Sequence, residues 1–164
     1  MKTFLINIFL AMTIVYFLSP YVLEWNYGAI GILMILFAIY VVLWLFSWVY
    51  DRNHFIKVPK VAALFLYFLK ELFFASLKVA YDIITPDFLL KPGVIAYPLL
   101  ARTDLEITLL ANMISLTPGT LSMAVSEDRK TLYVHSLYIL NNDKEGVITS
   151  IKKGFERRIL EITR

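Results

Sequence analysis

From Thr3 to Leu18 the chain is almost continuously apolar, and a second apolar run extends from Gly28 to about Tyr50 without an acidic or basic side chain. A bilayer core needs about 20 residues of helix, so the pattern predicts two spans, the first extending toward Tyr21. Ser19-Pro20 is expected to close that first span, because proline disfavours helical geometry at the residue before it. The connection Tyr21–Tyr27 carries Glu24, Trp25 and Asn26, and the second run ends in Trp44, Trp48 and Tyr50. Tryptophan and tyrosine favour the headgroup level, where the ring is half buried and its polar atom stays wet. Residues 1-50 are therefore expected to form a transmembrane helical hairpin.

The pattern then changes. Residues 51-86 read as a basic loop followed by an amphipathic helix over Val61–Ile84. On a wheel of about 100° per residue, Lys60, Lys70, Glu71, Lys78 and Asp82 share one polar sector, with Val61, Phe65, Phe68, Leu69, Leu72, Phe73, Val79 and Ile83 opposite. Spanning would bury several charges, each costing a few kcal/mol at mid-depth. An interfacial helix is thus favoured over a third span. Residues 87-164 read as a small α+β domain of order β-α-β-β-α. Val94–Leu100 has strand length, and Thr103-Asp104-Leu105-Glu106 has the form of a capping box opening a helix over Asp104–Leu116. Thr117-Pro118-Gly119-Thr120 breaks that helix as a structural turn. Leu121, Met123 and Val125 alternate with small polar residues as in a half-buried strand, Glu127–Lys130 makes a charged turn, and Thr131–Leu140 is rich in strand formers. Asn141–Gly146 is polar loop and helix start, and a last helix puts Ile148, Ile151, Phe155, Ile159 and Ile162 on one stripe.

Composition strengthens the membrane reading. Of 164 residues 59% are hydrophobic and only 18% charged, where soluble domains carry about a quarter charged; the mean hydropathy is +0.69. Between Met1 and Tyr50 the only charged side chains are Lys2 and Glu24. Lys2 at one end of the hairpin, and Arg52, Lys57 and Lys60 after the second span, place both ends in the cytoplasm by the positive-inside rule. Lys2 and the following apolar run resemble a secretory signal, but the small-x-small cleavage pattern is missing, so an uncleaved span is expected. The absence of cysteine excludes disulfides, thiolate metal sites and cysteine nucleophiles. A net charge of +3 is too small and too dispersed to argue for nucleic acid.

The search for chemistry returns little. His54 and His135 lack the spacing of a metal site, Ser122, Asp128 and His135 come without a nucleophile-elbow motif, and Thr117–Thr120 lacks the glycine-rich run and lysine of a phosphate loop. No catalytic, cofactor-binding or metal-ligating residue is predicted. The first two spans offer no strong proton relay. Lys70, Glu71, Lys78 and Asp82 are the candidate partner-facing or ion-path charges, with a solvated helix face as the plainer reading.

Ala111-Asn112-Met113-Ile114-Ser115-Leu116-Thr117-Pro118-Gly119-Thr120, the hairpin ending Leu132-Tyr133-Val134-His135-Ser136-Leu137, and Tyr81-Asp82-Ile83-Ile84-Thr85-Pro86 carry a resemblance. Together they resemble the E subunit of the Mrp-type multisubunit sodium/proton antiporter, over nearly the whole chain. The resemblance implies a small, multi-pass, accessory subunit of a bacterial plasma-membrane complex. It would serve assembly and stability among the other antiporter subunits, without a cofactor. The alternative is a stand-alone membrane-anchored module that recruits a cytoplasmic partner.

Overall fold

The computed structural model describes residues 2–23, 29–85, 91–139 and 143–164. Glu24–Tyr27 of the expected connection, Pro86 and Asp87, and Leu140–Asn142 lie outside the described residues. The chain divides into two compact units, Met1–Pro59 and Lys60–Arg164.

In the first unit, α1 (Lys2–Leu23) and α2 (Ala29–Tyr50) are apolar on nearly all sides. A helix hydrophobic all round belongs in a protein core or a membrane. Ile30–Tyr50 is long and apolar enough to cross a bilayer, whereas Thr3–Leu18 is a shorter apolar helix. The two helices pack through small and polar positions, with Asn7, Ala11 and Ser47 fully buried, as expected where apolar burial alone cannot drive helix association. Contrary to expectation, α1 does not stop at Ser19-Pro20 but continues to Leu23; a proline removes only one helical donor, which a helix can survive.

The second correction concerns the segment after the hairpin. Helix α3 runs over Arg52–Ile84 with Pro59 inside it, so the stretch predicted as basic loop is helical. Asp51 starts it, its Oδ1 accepting from the His54 backbone N–H at 3.1 Å, a side-chain cap for a free donor. Pro59 has no N–H to offer the carbonyl of Phe55. That carbonyl instead accepts from Trp44 Nε1 at 3.2 Å, and the Trp44 and Phe55 rings stack at 4.9 Å. An indole donor thus replaces the bond that proline deletes.

The second unit builds on the rest of α3. Strands β1 (Gly93–Pro98), β2 (Thr120–Val125) and β3 (Thr131–Ser136) form an antiparallel sheet in the order β1-β3-β2. Pro98 sits at the end of edge strand β1, where a missing donor costs least. Helix α4 (Asp104–Leu116) has the capping box read from sequence: Thr103 Oγ1 accepts from the Glu106 N–H, and Glu106 reaches back to the Thr103 N–H. The terminal helix is α5 (Lys144–Ile151), a five-residue π turn (Lys152–Glu156) and α6 (Arg157–Thr163). One sheet face, α4, the terminal helix and Leu64 of α3 enclose a core of Tyr97, Leu110, Ile114, Leu132, Val134, Ile151, Phe155 and Ile159.

The amphipathic pattern of β2 points the other way from its sequence reading. On β2 the apolar stripe Leu121, Met123 and Val125 is exposed, while Ser122 turns to α4 and donates to the Ala111 carbonyl at 3.0 Å. An irregularity between Ser122 and Ala124 shifts the register there, so strict alternation fails. On α3, Leu64 and Asp82 are buried and Tyr67 and Phe68 pack on the core. The apolar face bearing Phe65, Leu66, Leu69, Phe73, Leu77 and Ile84 is bare.

Candidate functional site

The four charges singled out on α3 separate into two groups, and Asp82 and Lys78 meet the α+β domain directly. Asp82 is 5% exposed and accepts a short hydrogen bond from the Tyr138 hydroxyl. Lys78, one turn earlier, lies 3.6 Å from the centroid of the same ring, a cation–π contact. Burial, followed by the Asp82 carboxylate, pushes the Tyr138 phenol up to about 12. About two turns earlier, Lys70 lies 5.9 Å from the Tyr67 ring. Burial first, then Glu71, raises the Tyr67 phenol above its ordinary value. Arg158 covers that ring at 3.8 Å and donates to the carbonyls of Lys153 and Gly154.

The Thr117–Thr120 turn meets the first of these groups. Thr117 Oγ1 donates to the Met113 carbonyl at 2.8 Å, and Thr120 Oγ1 to the Ile114 carbonyl at 2.6 Å, so both hydroxyls satisfy carbonyls left open at the end of α4. Pro118 follows the cap, where proline cannot continue the helix. Gly119 has φ +90°, and a Cβ there would meet the Tyr138 ring at 2.7 Å. Lys78, Asp82, Tyr138 and Gly119 therefore form one seam between α3, the strand end and the turn.

Two buried carboxylates anchor the domain: Glu106, read from sequence only as a capping residue, and Glu156, which escaped the sequence reading. Glu156 is fully buried and accepts from the Tyr97 hydroxyl (2.6 Å) and the backbone N–H groups of Leu100 (2.7 Å) and Ala101 (3.0 Å). The π turn puts Gly154, Phe155 and Glu156 inward in succession, which a regular 3.6-residue repeat does not allow. Burial and the Glu156 carboxylate push the Tyr97 phenol far above its ordinary value. Glu106 accepts from Thr163 Oγ1 and from the Arg102 and Thr103 N–H groups, and these hold its carboxyl down at about 2 despite burial. Each acid ties the terminal helix to the segment between β1 and α4.

At one end of the hairpin, Tyr50 donates to Asn7 Oδ1 at 2.7 Å and Asn7 Nδ2 lies 3.4 Å from His54 Nε2; Thr3 donates to Asp51. His54 thus belongs to a polar knot. His135 is half buried on β3, opposite Val94 and Leu121. Among the described residues no group of three or more His, Asp or Glu is placed to hold a metal ion. The arrangement holds helices and strands to one another, and its open features are surfaces: the bare face of α3 and the outer face of the sheet, where Val94, Leu121, Met123 and Tyr133 are exposed.

Residues 2–162 match the family model described as Na+/H+ ion antiporter subunit. The chain is similar to the E subunit of a Na(+)/H(+) antiporter of Alkalihalophilus pseudofirmus, 42% identical over 66% of this chain and 67% of that one. It is 31% identical to the E1 subunit of a Na(+)/H(+) antiporter of Staphylococcus saprophyticus, over 96% of this chain and 94% of the relative. Among solved structures, a chain of the membrane-bound sulfane sulfur reductase, an archaeal respiratory membrane complex, aligns over 99% of both chains with a TM-score of 0.58 and 21% identity, a likeness of fold. With the family model covering nearly all of its length, the chain belongs to the family of Na+/H+ antiporter E subunits.

Proposed function

We propose that the chain is an accessory, non-catalytic subunit of a multisubunit sodium/proton antiporter of the bacterial plasma membrane, serving its assembly and stability. Both α1 and α2 span, the N-terminus and the α+β domain are cytoplasmic, and α3 lies in the bilayer interface or in a groove between subunits. The observation that carries this reading is the bare face of α3, with Leu66 65%, Phe73 60% and Ile84 83% exposed. The helix gives its polar side to the domain and leaves its apolar side open. A monomer seldom shows a continuous apolar face of this kind unless it is an interaction site. The outer sheet face supplies a second such surface, suited to a sister subunit. Lys78 and Asp82 belong to the seam that sets α3 on the domain, which favours a positioning role over an ion path for that pair, while Lys70 and Glu71 stand beside Tyr67 on α3 itself.

The chain contains no cysteine, so single cysteines report cleanly. In lipid nanodiscs, Phe73→Cys should react with a water-soluble maleimide about tenfold more slowly than Glu127→Cys in the exposed turn. Equal rates would contradict burial of the α3 face in lipid. In cells, Leu121→Asp should lower recovery of the assembled complex at an unchanged membrane level of the chain; unchanged recovery would remove the sheet face as a subunit contact.

A further inference from the structure

Between the start of the second unit and the terminal helix lies a groove of about 700 Å³. Its walls carry Lys60, Lys152, Lys153, Arg157 and Arg164, and Leu100 and Leu160 give it an apolar floor. The only acid among the lining residues, Glu161, is already engaged, its carboxylate 3.6 Å from Arg157 Nε. Lys60 donates to the backbone carbonyl of Glu161 at 3.0 Å, and Arg164 to that of Leu100 at 3.0 Å. The Lys60 bond neutralises no charge, whereas Arg164 also has its Nε 3.8 Å from Glu106 Oε1, so the surplus rests on Lys60, Lys152 and Lys153. Lys152 and Lys153 are exposed and have no ion-pair partner among the described residues. The groove therefore holds a surplus of positive charge over an apolar base.

Lys60 follows Tyr50, the end of the long apolar helix, by ten residues of sequence. Lys60 stands on the same helix whose apolar face is bare.

We propose that this groove binds the phosphate headgroup of an anionic phospholipid of the cytoplasmic leaflet, with the upper acyl carbons resting on Leu100 and Leu160. A soluble anion would find the cations but gain nothing from the apolar floor. Basic clusters beside a membrane attract anionic lipid, and each further lysine or arginine strengthens the attraction. The inference rests on the reading of α3 as an interfacial helix, and its test separates the two.

The test uses the whole chain carrying Phe73→Cys, reconstituted in nanodiscs of phosphatidylcholine alone or with phosphatidylglycerol. Lysine acylation by a water-soluble ester is read by mass spectrometry, with Lys130 in the exposed turn as internal reference. Phosphatidylglycerol should slow acylation of Lys60, Lys152 and Lys153 about tenfold relative to Lys130. In the Lys152→Gln/Lys153→Gln chain the protection of Lys60 should be lost, since removal of two charges weakens such binding by about tenfold or more. Inorganic phosphate added to phosphatidylcholine discs should protect none of the three. Absence of protection by phosphatidylglycerol, or equal protection by phosphate, would overturn the lipid site. The thiol introduced by Phe73→Cys reports α3 in the same sample: if it stays shielded while the lysines do not, the groove fails and the interfacial helix stands.

Discussion

Removing the Glu156 carboxylate should loosen the terminal helix more than any surface change, and the size of the effect depends on what replaces it. Oε1 accepts from the Leu100 and Ala101 N–H groups and Oε2 from the Tyr97 hydroxyl. Glu156→Leu keeps much of the volume but orphans three donors, two of them at buried Tyr97 and Ala101. A buried donor left without a partner costs about 1–3 kcal/mol. Breaking a buried charged network costs about 3–5 kcal/mol in all. Glu156→Gln keeps one carbonyl oxygen for the two N–H groups, and the Tyr97 hydroxyl can turn to accept from the new amide. Its cost should be about 1–2 kcal/mol. Amide hydrogen exchange of the full chain in detergent, read on a peptide covering Tyr97–Thr103, measures both. The expected order is wild type slowest, then Gln, then Leu, with Leu100 and Ala101 exchanging fastest in the Leu chain. A Leu variant that exchanges no faster than wild type, or a Gln variant as loose as Leu, would refute the assignment of Glu156 as an acceptor hub.

Other outcomes follow from the same geometry. Glu106 has a folded value of about 2 against an ordinary 4.5; its contribution to stability is fully present above pH 4.5 and is lost as the pH falls through about 2. The gap in melting temperature between wild type and Glu106→Gln should therefore be constant near neutrality and close below pH 4.5. Gly119→Ala places a Cβ at φ +90° and 2.7 Å from the Tyr138 ring; it should destabilise by about 1–3 kcal/mol, seen in thermal unfolding, and a neutral result would refute the close approach. Single substitutions Lys70→Gln, Glu71→Gln, Lys78→Gln and Asp82→Asn should leave sodium/proton exchange unchanged per assembled complex, with Asp82→Asn lowering the amount assembled. Exchange lost at full assembly would instead place these charges on an ion path.

Local chemistry was readable in the sequence wherever neighbours in the chain decide it. Thr103 and Glu106 cap a helix running over Asp104–Leu116 as their spacing predicts, and the order β-α-β-β-α follows from alternating pattern and turn residues. What failed depends on partners remote in sequence. The basic stretch before Val61 read as a loop, yet it is helical, and an indole eleven residues before Phe55 supplies the donor that Pro59 lacks. The stripe Leu121, Met123, Val125 suggested a buried face, but β3 already fills the inner side with Leu132 and Val134. Glu156 was hidden because a regular helical repeat sets it beside Phe155 on a different face; only the π turn brings both inward. Asp82 and Lys78 could be placed on one helix face from spacing, but their meeting with Tyr138 and Gly119 rests on contacts between distant segments.

The central claim, an antiporter subunit that works through its surfaces, is tested most directly by purifying a tagged copy from its own membranes in mild detergent. The associated chains are then identified by mass spectrometry. Recovery together with several hydrophobic antiporter-like subunits is the predicted result. A chain recovered alone, or with only a soluble protein, would contradict it and leave a membrane-anchored module that recruits a cytoplasmic partner.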